Sequence, residues 1–188
     1  MPDKIRCGWC LSSNLYKKYH DEEWGKPVYD DQTIFEFLIL ETFQAGLSWI
    51  TILNKRENFR KAFDNFNYKK IASYNEDKIQ DLLQDAGIIR NQLKVRSAVS
   101  NAVAFIKVQQ EFGTFSKYIW GFTGGKPIIN NLKSLSQIQP TTPLSDAISK
   151  DLKKRGFKFV GSTVIYAHMQ ATGMVNDHVQ DCWITTAM

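Results

Sequence analysis

Five residues at the two ends of the chain have the types and spacing of a metal site. Cys7 and Cys10, in the stretch CGWC, are followed by His20, and His178 and Cys182 stand near the other end. The chain has only three cysteines and three histidines, so most of its soft ligands lie in these two clusters. A zinc ion takes four Cys or His ligands in a tetrahedron, and a spacing of three or four residues lets one turn supply two of them. His178 and Cys182 have that spacing, and Cys7 or Cys10 with His20 completes the set. Four protein ligands leave no open position for water, so the expected role is structural, one zinc tying the chain ends together. CGWC also has the spacing of a redox dithiol, but that reading needs a βαβ context, which a helical sequence does not provide. Spacing alone does not choose between Cys7 and Cys10.

A second candidate is Glu41, inside the apolar run IFEFLILETFQA, with Phe37 and Ala45 one helical turn away on either side. A carboxylate there is costly unless something compensates it. Backbone amides at a neighbouring helix start are one compensation; an amino group and positive charge on a ligand are another.

A third lies in KKRGFKFVGSTVIYAHMQATG, which reads as a helix end, a glycine-bounded hairpin and a second helix. Gly156 and Gly161 permit backbone conformations that other residues avoid. The amides opening the next helix, from Ser162, would face a phosphate without regard to base sequence. A lone Gly-x-x-x-x-Gly is more often an ordinary turn, but Lys153, Lys154, Arg155 and Lys158 crowd this one and shift the balance towards a DNA backbone. GGKP at 124–127 lacks the spacing of a phosphate loop and follows no strand.

The elements that must position these residues are helical, and the expected fold class is all-α. Asp31 is expected to cap a helix running to Gly46, apolar almost all round and therefore central. Ser48 is expected to cap a stretch through Ile52 and Leu53, and Asn75 a helix through Ile79, Leu82 and Leu83 that stops at Gly87. From Asn91 to Phe112, Val95, Ala98, Val99, Ala102 and Ile106 form one apolar stripe, with Lys94, Arg96, Ser97, Asn101 and Lys107 facing away. An irregular stretch over 124–143 precedes helices at Leu144–Lys154 and Ser162–Thr172. With 188 residues, 43% hydrophobic and 13% aromatic, the chain has the means for one substantial core. Its net charge of +5 suits a polyanionic partner such as nucleic acid. No apolar stretch has the length of a signal peptide or of a membrane span, and an odd cysteine count argues against a disulfide framework.

The sequence resembles the bacterial DNA-3-methyladenine glycosylase I family. The matching stretches are RCGW at 6–9, YHDEEWG at 19–25, ETFQAGLSWITIL at 41–53, KRENFRKAF at 55–63, QDAGIIRNQLK at 84–94, SDAISKDLKKRGFKFVG at 145–161 and VNDHVQDC at 175–182. They cover essentially the whole chain. The resemblance implies a helix-hairpin-helix glycosylase fold of one domain, 1–188, with a helical lobe at 31–160 and a zinc-stapled lobe of 1–30 plus 161–188. It places the zinc ligands on Cys7, His20, His178 and Cys182, and leaves Cys10 as a spare ligand or an inert thiol.

The implied substrate is N3-methyladenine in double-stranded DNA, and the product is free 3-methyladenine. The alkylated base carries a positive charge and leaves as a neutral molecule, so its bond is already weak. The enzyme must extract the base, hold it selectively and position a water; flipping costs a few kcal/mol. The family pattern sets Tyr19 and Trp49 around the flipped base and uses Glu41 to recognise it. A cationic ring gains roughly 0.5–2 kcal/mol on an aromatic face that neutral adenine does not gain. Trp24 lies in a matched motif, and Trp9, beside a metal ligand, either lines the pocket or supports it. Trp120 is read as core. In QAGLSW, Leu47 would wedge into the gap left by the base and Gln44 would touch neighbouring bases.

Related helix-hairpin-helix glycosylases carry a catalytic Asp where this chain has Asn176; Asp177 is adjacent, and orienting His178 on the metal is a second use open to it. Losing a general base forfeits about 10²–10⁴ in rate, which only an unstable lesion tolerates. Specificity should therefore be narrow. No lysine follows the hairpin in a nucleophile position, so no lyase activity is expected. A monomeric bacterial enzyme, cytoplasmic and nucleoid-associated through its substrate, with no membrane partner, is the resulting expectation. A non-catalytic zinc-stapled DNA-binding module is the alternative, and it has no need of the aromatic pocket with Glu41.

Overall fold

The computed structural model describes residues 4–186, so the outermost residues of the expected 1–188 domain lie outside the described residues. The chain is mostly helical. α1 (Asn14–Glu22), α2 (Asp31–Gln44) and α3 (Trp49–Ala62) lead into the short α4 (Tyr68–Ile71) and α5 (Glu76–Gln84). The long α6 (Gln92–Phe112), α7 (Phe115–Gly121), α8 (Pro143–Lys154), α9 (Ser162–Ala171) and the final turn α10 (Trp183–Thr186) complete the set.

α2 is the axis of the molecule. Ile34, Phe35, Phe37, Leu38, Ile39, Leu40 and Phe43 are all buried on it, because α3, α6, α7 and α9 pack around it. Its cap is Asp30, which accepts from the Thr33 amide at 2.8 Å. The expected cap, Asp31, stands one residue inside the helix and reaches outwards. It accepts from the amides of Phe115 (2.9 Å) and Ser116 (2.7 Å), and so caps α7 across the core. Ser48 occupies its cap position without bonding the backbone there, whereas Asn75 and Asn91 cap α5 and α6 through Lys78 and Lys94. α5 ends at Gln84, before Gly87.

α6 departs from the single-stripe expectation. Val95, Ala98 and Ala102 are buried, but so are Lys94, Ser97 and Asn101, while Ile106 is only half-buried. Ala104, Phe105 and Val108 join the core as well. The helix is covered by α2 on one side and by α4, α5 and α7 on others, so its polar groups are enclosed and must find partners.

The stretch over 124–143 is not wholly irregular. β1 (Ile128–Ile129) pairs in parallel with β2 (Val175–Asn176), Ile128 opposite Val175, and Leu132 bridges to Val179. Two residues are too few to show alternation in a sequence. The pairing straps the segment carrying His178 and Cys182 onto the body of the protein. The other chain end is tied to the same place, where the Trp183 amide donates to the Ile5 carbonyl at 2.8 Å.

Candidate active site and metal centre

Cys7, His20, His178 and Cys182 converge from the two ends, all buried, with their ligand atoms within 4.8 Å of one another. Cys7 Sγ lies 3.6 Å from His178 Nδ1, and Cys182 Sγ lies 3.5 Å from both His178 Nδ1 and His20 Nε2. Bonds of ~2.3 Å to sulfur and ~2.0 Å to nitrogen in a tetrahedron set such atoms about 3.5 Å apart. The outer ring nitrogens are also held: His20 Nδ1 by Asp21 Oδ1 at 2.8 Å and His178 Nε2 by the Trp24 carbonyl at 3.1 Å. Such partners fix the tautomer that presents the other nitrogen to an ion. Burial pushes the Cys7 thiol up to about 12 and the His178 imidazole down to about 4. Burial lowers His20 as well, so both imidazoles are in their ligating form, and the Cys7 thiol needs a cation before it ionises. The residues fit a metal. Cys10 is buried but turns away, its thiol donating to the Cys7 carbonyl at 3.1 Å.

Beside this centre opens a cavity of about 230 Å³, lined by Trp9, Tyr19, Trp24, Glu41, Gln44 and Trp49 together with Tyr16, Ile138, Ala167 and Gln170. Trp9, Tyr19, Trp24, Glu41 and Trp49 are the base-pocket residues expected from the sequence, whereas Gln44, expected to touch neighbouring bases, here lines the cavity. Trp9 packs edge-on against Tyr16 and Trp24 with centroids 5.0 Å apart in each pair, so it both lines the wall and supports it. Trp24 in turn stacks on His20, which links the aromatic wall to the ligand set. Tyr19 and Trp49 meet at 5.5 Å and 52°. They touch each other too closely to sandwich a third ring, and form adjoining faces against which one would lie.

Glu41 sits at the cavity, delivered by the central helix. Its Oε2 is buried with no hydrogen-bond partner, and burial raises the carboxyl to about 8. No backbone amide compensates it. Two further buried groups on the same wall, Trp9 Nε1 and Trp49 Nε1, also lack partners. Orphaned buried polar atoms cost about 1–3 kcal/mol each, and three on one cavity wall form a binding surface awaiting a polar, aromatic ligand.

The family model for methyladenine glycosylases matches residues 9–185. DNA-3-methyladenine glycosylase 1 of Escherichia coli (strain K12) is 48% identical over 177 residues, 94% of this chain and 95% of the relative. The chain belongs to the methyladenine glycosylase family. A crystal structure of 3-methyladenine DNA glycosylase I superposes with a TM-score of 0.93 at 47% identity, covering 95% of this chain and 98% of that one. A structure of the Staphylococcus aureus enzyme, described as giving the basis of its 3-methyladenine recognition, superposes at 0.92 with 34% identity, covering 95% of each chain.

In this methyladenine glycosylase the cavity mouth is flanked by the turn after α2. Gln44 lines the cavity and Leu47 is 40% exposed. Lys94 steadies the turn by donating to the carbonyls of Phe43 (2.9 Å) and Ala45 (2.5 Å). The hairpin between α8 and α9 is formed as expected, with one exchange of roles. Gly156 adopts φ 96° and Phe159 φ 56°, whereas Gly161 has φ −61°, open to any residue. A side chain at Gly161 would meet no protein atom, so the bare backbone there is not demanded by the fold. Ser162 opens α9 and shares a hydroxyl bond of 2.8 Å with Ser145. Lys153, Lys154 and Lys158 are exposed, but Arg155 is paired with Glu111 and Asp151 and is not a free cation.

Asp177 does not orient His178. It is buried and faces the other way, accepting from Asn130 Nδ2 (2.6 Å), Tyr166 Oη (2.8 Å) and Gln170 Nε2 (2.8 Å). Asn176 Oδ1 accepts from the His178 amide at 3.0 Å. Trp120 is core as expected, donating to the Val28 carbonyl at 2.8 Å. Tyr16 was missed although it stands three residues before Tyr19, one turn along the same helix face. Ile138, Ala167 and Gln170 carried no local signal.

Proposed function

We propose that the protein is a monofunctional DNA glycosylase that flips N3-methyladenine out of alkylated duplex DNA and hydrolyses its N-glycosyl bond, the first step of base excision repair. The observation that carries this reading is the partnerless Glu41 in an aromatic cavity of purine size. A cationic base supplies what that site lacks: positive charge for the carboxylate, an amino group to donate to it, and a ring for Tyr19, Trp24 and Trp49. Neutral adenine offers less on each count. The base is already a good leaving group, so the absence of a general base at Asn176 is tolerable.

Double-stranded DNA would lie across the hairpin, its phosphates at Gly156, Lys158, Gly161 and Ser162. Leu47 would fill the gap in the stack and Gln44 would touch the neighbouring bases. A structural Zn²⁺ on Cys7, His20, His178 and Cys182 would hold residues 1–30 and 161–188 as one lobe of a single domain, against the helical lobe at 31–160. The enzyme would act as a monomer in the bacterial cytoplasm, on the nucleoid; among the described residues no helix is long and apolar enough to cross a membrane.

Incubation with methylated duplex DNA should release free 3-methyladenine, measured by chromatography, without strand scission. No release above the buffer rate, with DNA still bound, would leave only a non-catalytic binding module.

A further inference from the structure

We infer that Gln170 reads the substituent at C6 of the base, and that Asp177 sets the direction in which it reads. The inference rests on the glycosylase function proposed above. Gln170 lines the cavity from α9. Its amide nitrogen donates to Asp177 Oδ2 at 2.8 Å. Asp177 is itself fixed by Tyr166 Oη at 2.8 Å, from the same helix as Gln170, and by Asn130 Nδ2 at 2.6 Å, from the segment after β1. A carboxylate accepts and an amide nitrogen donates; the pairing therefore allows only one orientation of the Gln170 amide. Its Oε1 points away from Asp177 and has no hydrogen-bond partner among the described residues.

A fixed carbonyl on a cavity wall distinguishes purines. Adenine presents an amino donor at C6, which the carbonyl accepts; guanine presents an oxygen there, which the carbonyl repels. Glu41, also an acceptor once ionised, favours the same amino group, but its proton is exchangeable. Gln170 has no proton to lose and its amide cannot turn without breaking the bond to Asp177, so its preference for adenine is set by that bond. Asp177 is a positioning residue, and Gln170 contributes specificity for the reaction.

The test is the ratio of excision rates for 3-methyladenine and 3-methylguanine, both cationic in DNA, in duplexes of the same sequence. Both substrates are read by the same preparation, so a partly unfolded variant alters both rates and leaves the ratio unchanged. Gln170→Leu, which keeps the bulk and removes the carbonyl, should lower the ratio about tenfold, the scale of one buried hydrogen bond to the discriminating group; Gln170→Ala serves if the leucine does not fold. An unchanged ratio in an active variant overturns the inference. A wild-type protein that releases neither base removes the proposed function, and this inference with it, before any variant is made.

Discussion

Among the described residues, Glu41 is the one acid on the wall of the cavity. An acid held near 8 by burial is largely protonated at neutral pH in the free enzyme, and a bound cation favours its ionised form. The value of kcat/KM follows groups of the free enzyme, so excision should rise with pH through about 8 and then level. Glu41→Gln should abolish that limb and lower excision on the order of 10²-fold, read in single-turnover rates across pH. Stability should move in the opposite sense. Above the unfolded carboxylate range the unfolded chain has lost this proton while the native state keeps it, so Glu41 costs stability progressively from about pH 4.5 to 8. Thermal melts should therefore show Glu41→Gln gaining on the wild type as pH rises through that window and matching it near pH 4. A variant that lost stability and activity equally would mark Glu41 as structural. The sequence exposed this residue because an acid in an apolar run is conspicuous. Gln170 and Tyr16 stayed hidden because polar residues on half-buried helices look the same whether they face water or a cavity.

Single elements show why local periodicity was a partial guide. The stripe of α6 was correctly placed at Val95, Ala98 and Ala102, but the polar face beside it is used rather than solvated. Lys94 closes the end of α2, and Asn101 exchanges two hydrogen bonds with the backbone of Lys158, at 2.8 and 3.1 Å. One helix therefore braces both surfaces assigned to DNA, the turn bearing Leu47 and the hairpin. Nothing in a helical repeat tells an enclosed polar side chain from an exposed one. Lys94→Met should strand two carbonyls, costing about 1–3 kcal/mol, and should raise KM for duplex DNA more than it lowers kcat. Calorimetry and steady-state kinetics would show it, and a KM unchanged from wild type would separate Lys94 from the turn's function. At the hairpin, Lys158→Ala should weaken binding equally across DNA sequences and reduce the salt slope of binding by about one. Gly161 carries the same logic from the other side: with no steric demand inside the protein, Gly161→Ala should preserve the melting temperature and impair DNA binding.

At the scale of the molecule, joining the chain ends is what lets α1, α2, α3 and α9 enclose a cavity. Cys7 and Cys182 are far apart in sequence, yet the scarcity of cysteine and histidine made their meeting legible. The close approach behind it was not. A Cβ on Gly173 would collide with the Lys26 carbonyl and the Pro27 nitrogen, so this glycine admits the segment that carries Trp24 to the cavity. The strap formed by β1 and β2 was equally silent. Metal analysis should find about one zinc per chain. Cys7→Ser should deplete it and lower the melting temperature, whereas Cys10→Ser should retain it; the reverse result would reassign the ligand.

We propose that an alkylated purine completes a cavity whose polar groups the protein leaves unpaired. The most direct measurement is a crystal structure of the protein with 3-methyladenine. The base should lie against the faces of Tyr19 and Trp49, with its exocyclic amino group within hydrogen-bonding distance of Glu41. A cavity filled by the protein's own side chains, or a Glu41 bonded to backbone amides while the base sits elsewhere, would contradict it.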